Sequence, residues 1–171
     1  MNKIFCMDVD YREDYAVAAG ILFDDWESDN TLKELTVKID EIAPYESGQF
    51  YKRELPCLLQ LIESLNSLPD IFIVDSFVYL DENKKPGLGG YLFQAFNEQI
   101  PVIGVAKSNF KDSTNSSEVL RGDSQNPLYV TSAGIDLNEA ADLIKTMHGE
   151  FRNPTLLKKV DQLCRSGNAH M

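Results

Sequence analysis

The sequence predicts an α/β fold with one mixed sheet, antiparallel in its front half and parallel in its back half, flanked by helices. Three observations predict it. Three strand-like runs follow one another within residues 3–42, with joints too short to hold helices. From residue 50 onward, helical patterns alternate with short, wholly apolar runs, the order of a parallel α/β unit. The chain has 171 residues, 43% of them hydrophobic, which is one domain's worth and enough to form a core without disulfides.

The first run, Lys3–Val9, is apolar but broken by Asp8, and the second, Ala16–Phe23, ends at the turn-prone pair Asp24-Asp25. In Leu32–Ile42, apolar Leu35, Val37 and Ile39 alternate with polar or charged residues, the period of a half-buried strand. After Pro44-Tyr45-Glu46-Ser47-Gly48, the helical spacing of Leu55, Leu58, Leu59 and Ile62 predicts a helix from Phe50 to about Leu65. Ile71–Val74 reads as a central parallel strand. A helix over Gly89–Asn97 and a buried strand over Val102–Ala106 follow.

The polar stretch Asn109–Asn126 reads as loop, with a short strand near Glu118–Leu120, and Leu128–Thr131 reads as a further strand. Asp136 is placed to cap a helix from Leu137 to Met147, and Pro154 to open a last helix reaching about Cys164. The domain is expected to span residues 1–165, with 166–171 a flexible tail. Three strands followed by helix, strand, helix and strand is the order of an RNase H-like domain, an analogy of fold that by itself leaves function open.

Sixteen basic against 27 acidic side chains give a net charge of −11. The excess lies in residues 1–50, which hold 12 acids and four bases, so a nucleic-acid surface belongs to the later part of the chain. No apolar run is long enough for a membrane span, which excludes an integral helical membrane protein. Cys6, Cys57 and Cys164 are odd in number and far apart, which argues against a zinc site and fits reduced thiols. With no signal-peptide core ahead of Asp8, a cytoplasmic location is expected.

Three acids sit where packing alone would not choose them. Asp8 interrupts an apolar strand, Asp75 ends the run Ile71–Val74, and Glu54 begins the helix between them. Strand ends and a helix start converge readily, and carboxylates gathered there make a hard oxygen site suited to Mg²⁺ or Mn²⁺. Other roles fit each acid alone. Asp75 suits a turn, Asp8 a pair with Arg53, and Glu54 the positive end of a helix dipole.

The ordered motifs resemble those of the endonuclease V family, which cuts nucleic acid near inosine. Met7-Asp8-Val9-Asp10-Tyr11 stands where that family has G-V-D-x-S-Y, and Pro44-Tyr45-Glu46-Ser47-Gly48 with Arg53-Glu54 matches P-Y-x-P-G and its following R-E pair. Pro69-Asp70-Ile71-Phe72-Ile73-Val74-Asp75 matches P-D-x-x-x-V-D, and Gly87-Leu88-Gly89-Gly90-Tyr91-Leu92 is a weak form of G-L-A-S-H-x-G. Pro101 to Ser108 repeats P-x-I-G-V-A-K-S, and Arg152 to Asp161 echoes R-x-P-x-P-x-R-x-A-D.

The resemblance implies a Mg²⁺-dependent endonuclease, Mn²⁺ being a substitute, with metal ligands Asp8, Glu54 and Asp75 and with Lys107 near the scissile phosphate. It implies Tyr45 as the wedge that fills the gap of a flipped inosine, and Gly48, Ser76, Gly87 and Leu88 as the base pocket. The substrate would be inosine-containing DNA or RNA, cut at the second phosphodiester 3′ to inosine, in DNA repair or RNA processing. The partner is thus nucleic acid and no membrane, and a monomer is compatible.

The chain is a divergent example. The family's D-G-x-G is Asp75-Ser76-Phe77-Val78, whose side chains are expected to narrow the base pocket. A family histidine near the metals is missing from Ser132–Leu137, where Asp136 is a candidate replacement. These losses leave open a second reading, a non-catalytic domain that has kept the scaffold for protein interaction or regulation.

Overall fold

A computed structural model describes residues 3–40, 51–109 and 114–166. Strand β1 (Ile4–Tyr11) lies at the heart of the sheet because its side chains are apolar on both faces. Ile4 and Cys6 enter one core while Phe5 and Met7 enter the other. It pairs antiparallel with β2 (Ala16–Phe23), which pairs antiparallel with the edge strand β3 (Lys33–Ile39). On its other side β1 runs parallel to β4 (Ile71–Val74), and β4 parallel to β5 (Val102–Ala106). The described sheet has seven strands in the order β3-β2-β1-β4-β5-β7-β6, with β6 at Ser117–Val119 and β7 at Leu128–Ala133.

The back half is parallel only through β5. Strand β7 pairs antiparallel with β5, so Val102 faces Ala133 and Ala106 faces Tyr129. The cause is the connection. Strands β6 and β7 are joined by residues 120–127 as an antiparallel pair, and this return slots β7 in between β5 and β6 with its direction reversed. A parallel partner would need a crossover of a dozen or more residues.

Helices cover both faces. Helix α1 (Tyr51–Glu63) and helix α2 (Leu88–Ala95) bury Leu58, Leu61, Leu92 and Phe93 against the Phe5 side. Helix α3 (Leu137–Thr146) and helix α4 (Thr155–Ser166) bury Ala140, Ile144, Leu156 and Val160 against the Ile4 side. Helix α1 continues through Pro56, two residues past Glu54. Asn97 and Glu98 adopt φ of +56° and +60° just beyond α2 and stop it. Asp136 is the N-cap of α3, as its position predicts, accepting from the Glu139 amide at 3.2 Å. Ser166 still belongs to α4, and residues 167–171 of the expected tail lie outside the described residues. Among the described residues no helix is long and apolar enough to cross a membrane.

Candidate metal centre

Register brings the first two acids together. Met7 and Val74 are partners across the parallel β1/β4 pair, so Asp8 and Asp75 follow at the same level. Strict alternation sends Asp8 to the face of Ile4 and Cys6, the face that α4 covers. Both acids line a cleft of about 40 Å³, which is room for a few waters or a hydrated ion. Lys107, just past the end of β5, lines the same cleft, as do Asn153, Pro154 and Asp161.

Asp161 was not singled out from the sequence. It sits on α4 beside the buried stripe Leu156, Val160 and Cys164, which turns it toward β1. A carboxylate oxygen of Asp8, one of Asp161 and the Cys164 sulfur lie within 4.8 Å of one another. The only sequence signal for Asp161 was its place at the close of the last family motif. The thiol is a poor ligand here. Burial pushes Cys164 well above its usual range, and its sulfur donates to the Asp161 carbonyl at 3.1 Å. The donors left are hard oxygens, the set that suits Mg²⁺ or Mn²⁺.

These carboxyls repel one another. Burial pushes Asp8 up to about 8, with the charge of Asp75 and the hydrogen bond with Asp161 acting the same way. Burial and then Asp75 push Glu54 up to about 7, against the opposing charge of Arg53. Asp75 is also raised, first by burial and partly offset by Lys107. Asp161 alone is lowered: burial opposes this, but hydrogen bonds with Arg165 and Asp8 and the charge of Lys107 prevail. The Arg165 Nε donates to Asp161 Oδ1 at 2.8 Å. A site with this much unfavourable charge takes up either protons or a cation.

Glu54 stands in the first turn of α1, on the opposite face of the sheet, and is not among the residues lining the cleft. It is close enough for Asp75 to raise it. The Arg53 guanidinium lies 3.9 Å from the centre of the Tyr11 ring, which ties the start of α1 to the end of β1. Arg12 fastens the other side. Its Nη2 donates to the carbonyls of Cys164 and Arg165 at 3.0 and 2.8 Å, holding the end of α4 against β1.

Lys107 is anchored through its backbone, because Arg152 Nη2 donates to its carbonyl at 2.5 Å and to that of Pro127 at 2.8 Å. Behind them Arg121, 5% exposed, donates to the carbonyls of Lys145, Met147, Gly149, Phe151 and Arg152. This one side chain fixes the segment that leads into α4.

The expected base pocket divides. Tyr45 and Gly48 lie outside the described residues. Ser76 follows Asp75 directly, and the segment Ser76–Val78 is squeezed between β5 and the start of α2. The Gly87 amide donates to the Val78 carbonyl at 2.9 Å, and a Cβ on Gly87 would come within 2.6 Å of the Phe77 oxygen. Leu88 turns its side chain into the core. Val78 is wholly buried. Its Cγ2 would meet a Cβ on Gly89 at 2.8 Å, so it fills space that Gly89 leaves free.

Asp136 is far from the acids along the sheet. Because β7 is antiparallel to β5, Ala133 lies level with Val102, at the end of β5 opposite Lys107. Asp136 follows at that end, and its exposed carboxyl serves the helix cap.

Known proteins share this arrangement of elements. An endonuclease V structure from Ciona intestinalis, in complex with a 24mer DNA containing an inosine followed by a ribo-adenosine, superposes with a TM-score of 0.79 at 19% identity. The match covers 96% of this chain and 85% of that one. Endonuclease V of Bacillus velezensis is 29% identical over 65% of this chain, a match that spans only 52% of the relative's length. Endonuclease V of Streptomyces avermitilis is 25% identical over 96% of this chain and 80% of its own length. The family model for endonuclease V matches residues 1–162, and the chain therefore belongs to the endonuclease V family of nucleases.

Proposed function

We propose that the protein is a Mg²⁺-dependent endonuclease that hydrolyses a phosphodiester 3′ to inosine or deoxyinosine in nucleic acid. The observation that carries this reading is the convergence of Asp8, Asp75, Asp161 and Lys107 on one cleft, with Glu54 behind it. Asp8, Glu54 and Asp75 would hold the cation, and Asp161 adds a fourth carboxylate. Once bound, Mg²⁺ would supply the Lewis acidity that activates water and neutralises a leaving oxygen.

The chain's own residues do the rest. Lys107, its backbone held by Arg152, offers a fixed positive charge to a phosphate oxygen as negative charge builds on it. Arg165 keeps Asp161 ionised and so ready to accept a cation. The Ser76–Val78 segment and Gly87 would meet the base through their backbones. Tyr45 would be the wedge. The inosine in the DNA of the Ciona intestinalis complex supports the substrate class.

The test is incubation with matched oligonucleotides, with and without one inosine, in Mg²⁺, Mn²⁺ or EDTA. The expected result is cutting at the second phosphodiester 3′ to inosine that EDTA abolishes. Cutting blind to inosine would keep the metal centre and remove the base specificity. An intact fold that cuts neither strand would overturn the reading in favour of a non-catalytic scaffold.

A further inference from the structure

Four large hydrophobic side chains stand exposed among the described residues, and Phe151 is the most exposed, at 71%. Isolated apolar side chains on a surface are ordinary. Phe151 differs in what holds it and in where it stands.

Its backbone is rigid. The Phe151 carbonyl accepts from Arg121 Nη1 at 2.5 Å, and the same guanidinium grips the segment on both sides. Gly122, at φ +60°, lets the two segments touch: a Cβ there would lie 2.1 Å from the Glu150 oxygen and 3.3 Å from the Phe151 Cα. These hydrogen bonds thus present an aromatic ring to solvent on an anchored backbone, where little further ordering is needed on binding.

Along the chain Phe151 stands two residues before Asn153, a lining residue of the acidic cleft. The next residue, Arg152, clamps the Lys107 carbonyl, and Asn153 and Pro154 line the cleft itself. An exposed aromatic residue is thus linked through the Arg152 clamp to Lys107, the cation that lines the carboxylate cleft, in a chain whose net charge is −11. A groove that pairs basic groups with an aromatic face is the pattern that binds a nucleic-acid strand by backbone charge and base stacking. A protein partner would gain nothing from the cations unless it were acidic.

We propose that Phe151 is a stacking platform for one nucleobase of the strand whose backbone enters the cleft beside Lys107. The inference rests on the proposed nuclease function and adds to it a strand contact outside the inosine pocket. Stacking on an aromatic side chain tolerates any base, so the contact sets affinity and register and leaves specificity to the pocket.

The experiment measures binding of a labelled single-stranded oligonucleotide containing one inosine, by fluorescence anisotropy with Ca²⁺ in place of Mg²⁺. Each nucleotide in turn is replaced by an abasic one, in the unaltered protein and in Phe151→Ala, Phe151→Leu and Phe151→Trp. The expected result is that Phe151→Ala and Phe151→Leu bind about tenfold more weakly while Phe151→Trp binds as well as the unaltered protein. One abasic position other than inosine should weaken the unaltered protein to a similar degree and leave Phe151→Ala unaffected. Equal affinity of Phe151→Ala, with every abasic penalty retained, would overturn the stacking role and leave the nuclease reading standing. Failure of the unaltered protein to bind any strand would overturn both.

Discussion

The two sides of the strand end at Asp75 are built on opposite principles. On the α4 side, carboxyls from β1, β4 and α4 are pressed together around a cleft, and Asp8 is pushed up to about 8. On the α2 side, the Ser76–Val78 segment carries no charge and is packed backbone to backbone against Gly87, Gly90 and Gly104. A cation or protons relieve the first side, whereas the second is already satisfied by contact and hydrogen bonds. The contrast sets an electrostatic deficit, which protons or a cation would relieve, beside a steric wall that resists change.

The largest expected effect tests the charged side. Asp75→Asn should lower metal-dependent cleavage by at least about a hundredfold with the fold unchanged, measured as single-turnover rates beside circular dichroism. Retention of full activity would remove Asp75 from the centre.

Next comes the pH dependence of stability without divalent cations. Asp8 and Glu54 titrate near 8 and 7 in the folded chain and near 4 when unfolded. The folded form binds more protons in between, so stability is full below about pH 4 and is lost as pH rises through 7 and 8. Asp8→Asn should therefore raise the Tm in EDTA at pH 8 by on the order of 5 °C and do little at pH 4. A Tm in EDTA that stays level from pH 5 to 9 would contradict the deficit. Mg²⁺ should raise the Tm more at pH 8 than at pH 5.

The packed side should respond only to volume. A Cβ on Gly104 would fall 2.3 Å from the Ser76 oxygen and 2.8 Å from Thr131 Oγ1. Gly104→Ala should cost about 1–3 kcal/mol in urea unfolding, equally at pH 5 and 8. A cost that grew with pH would mean that the two sides are coupled.

The smallest effect is expected at the far end of the sheet. Asp136→Ala should cost about 1 kcal/mol through the lost helix cap and leave cleavage unchanged. A large loss of activity would bring Asp136 back as a ligand.

Most of the element order was legible because it rests on local periodicity. The stretches Ala16–Phe23, Ile71–Val74 and Val102–Ala106 form strands with the expected bounds. Asp8 and Asp75 could be found as charges inside apolar strands. The reversed direction of β7 could not, since a short, mostly buried strand reads the same either way and only the return through β6 decides it. That reversal also carries Asp136, which the resemblance offers in place of the family histidine, to the end of the sheet away from the acids. Asp161 was hidden for a different reason. An acid on an amphipathic helix is ordinary in sequence, and only the docking of α4 over β1 gives it a purpose. The fit of Val78 into the space beside Gly89 was likewise not legible, since it depends on two segments that only the fold brings together.

The acids of the cleft come from residues 8, 75 and 161, nearly the whole described span of the chain. Asp161 arrives on the last described helix, whose end Arg12 ties to β1 across 152 residues. No proper fragment that stops short of α4 carries the full carboxylate set, however well its sheet forms. A growing chain would thus lack the complete carboxylate set until α4 docks. The same layout makes a cut between α3 and α4 a rational place to split the molecule into two halves that regain the full carboxylate set only on reassembly.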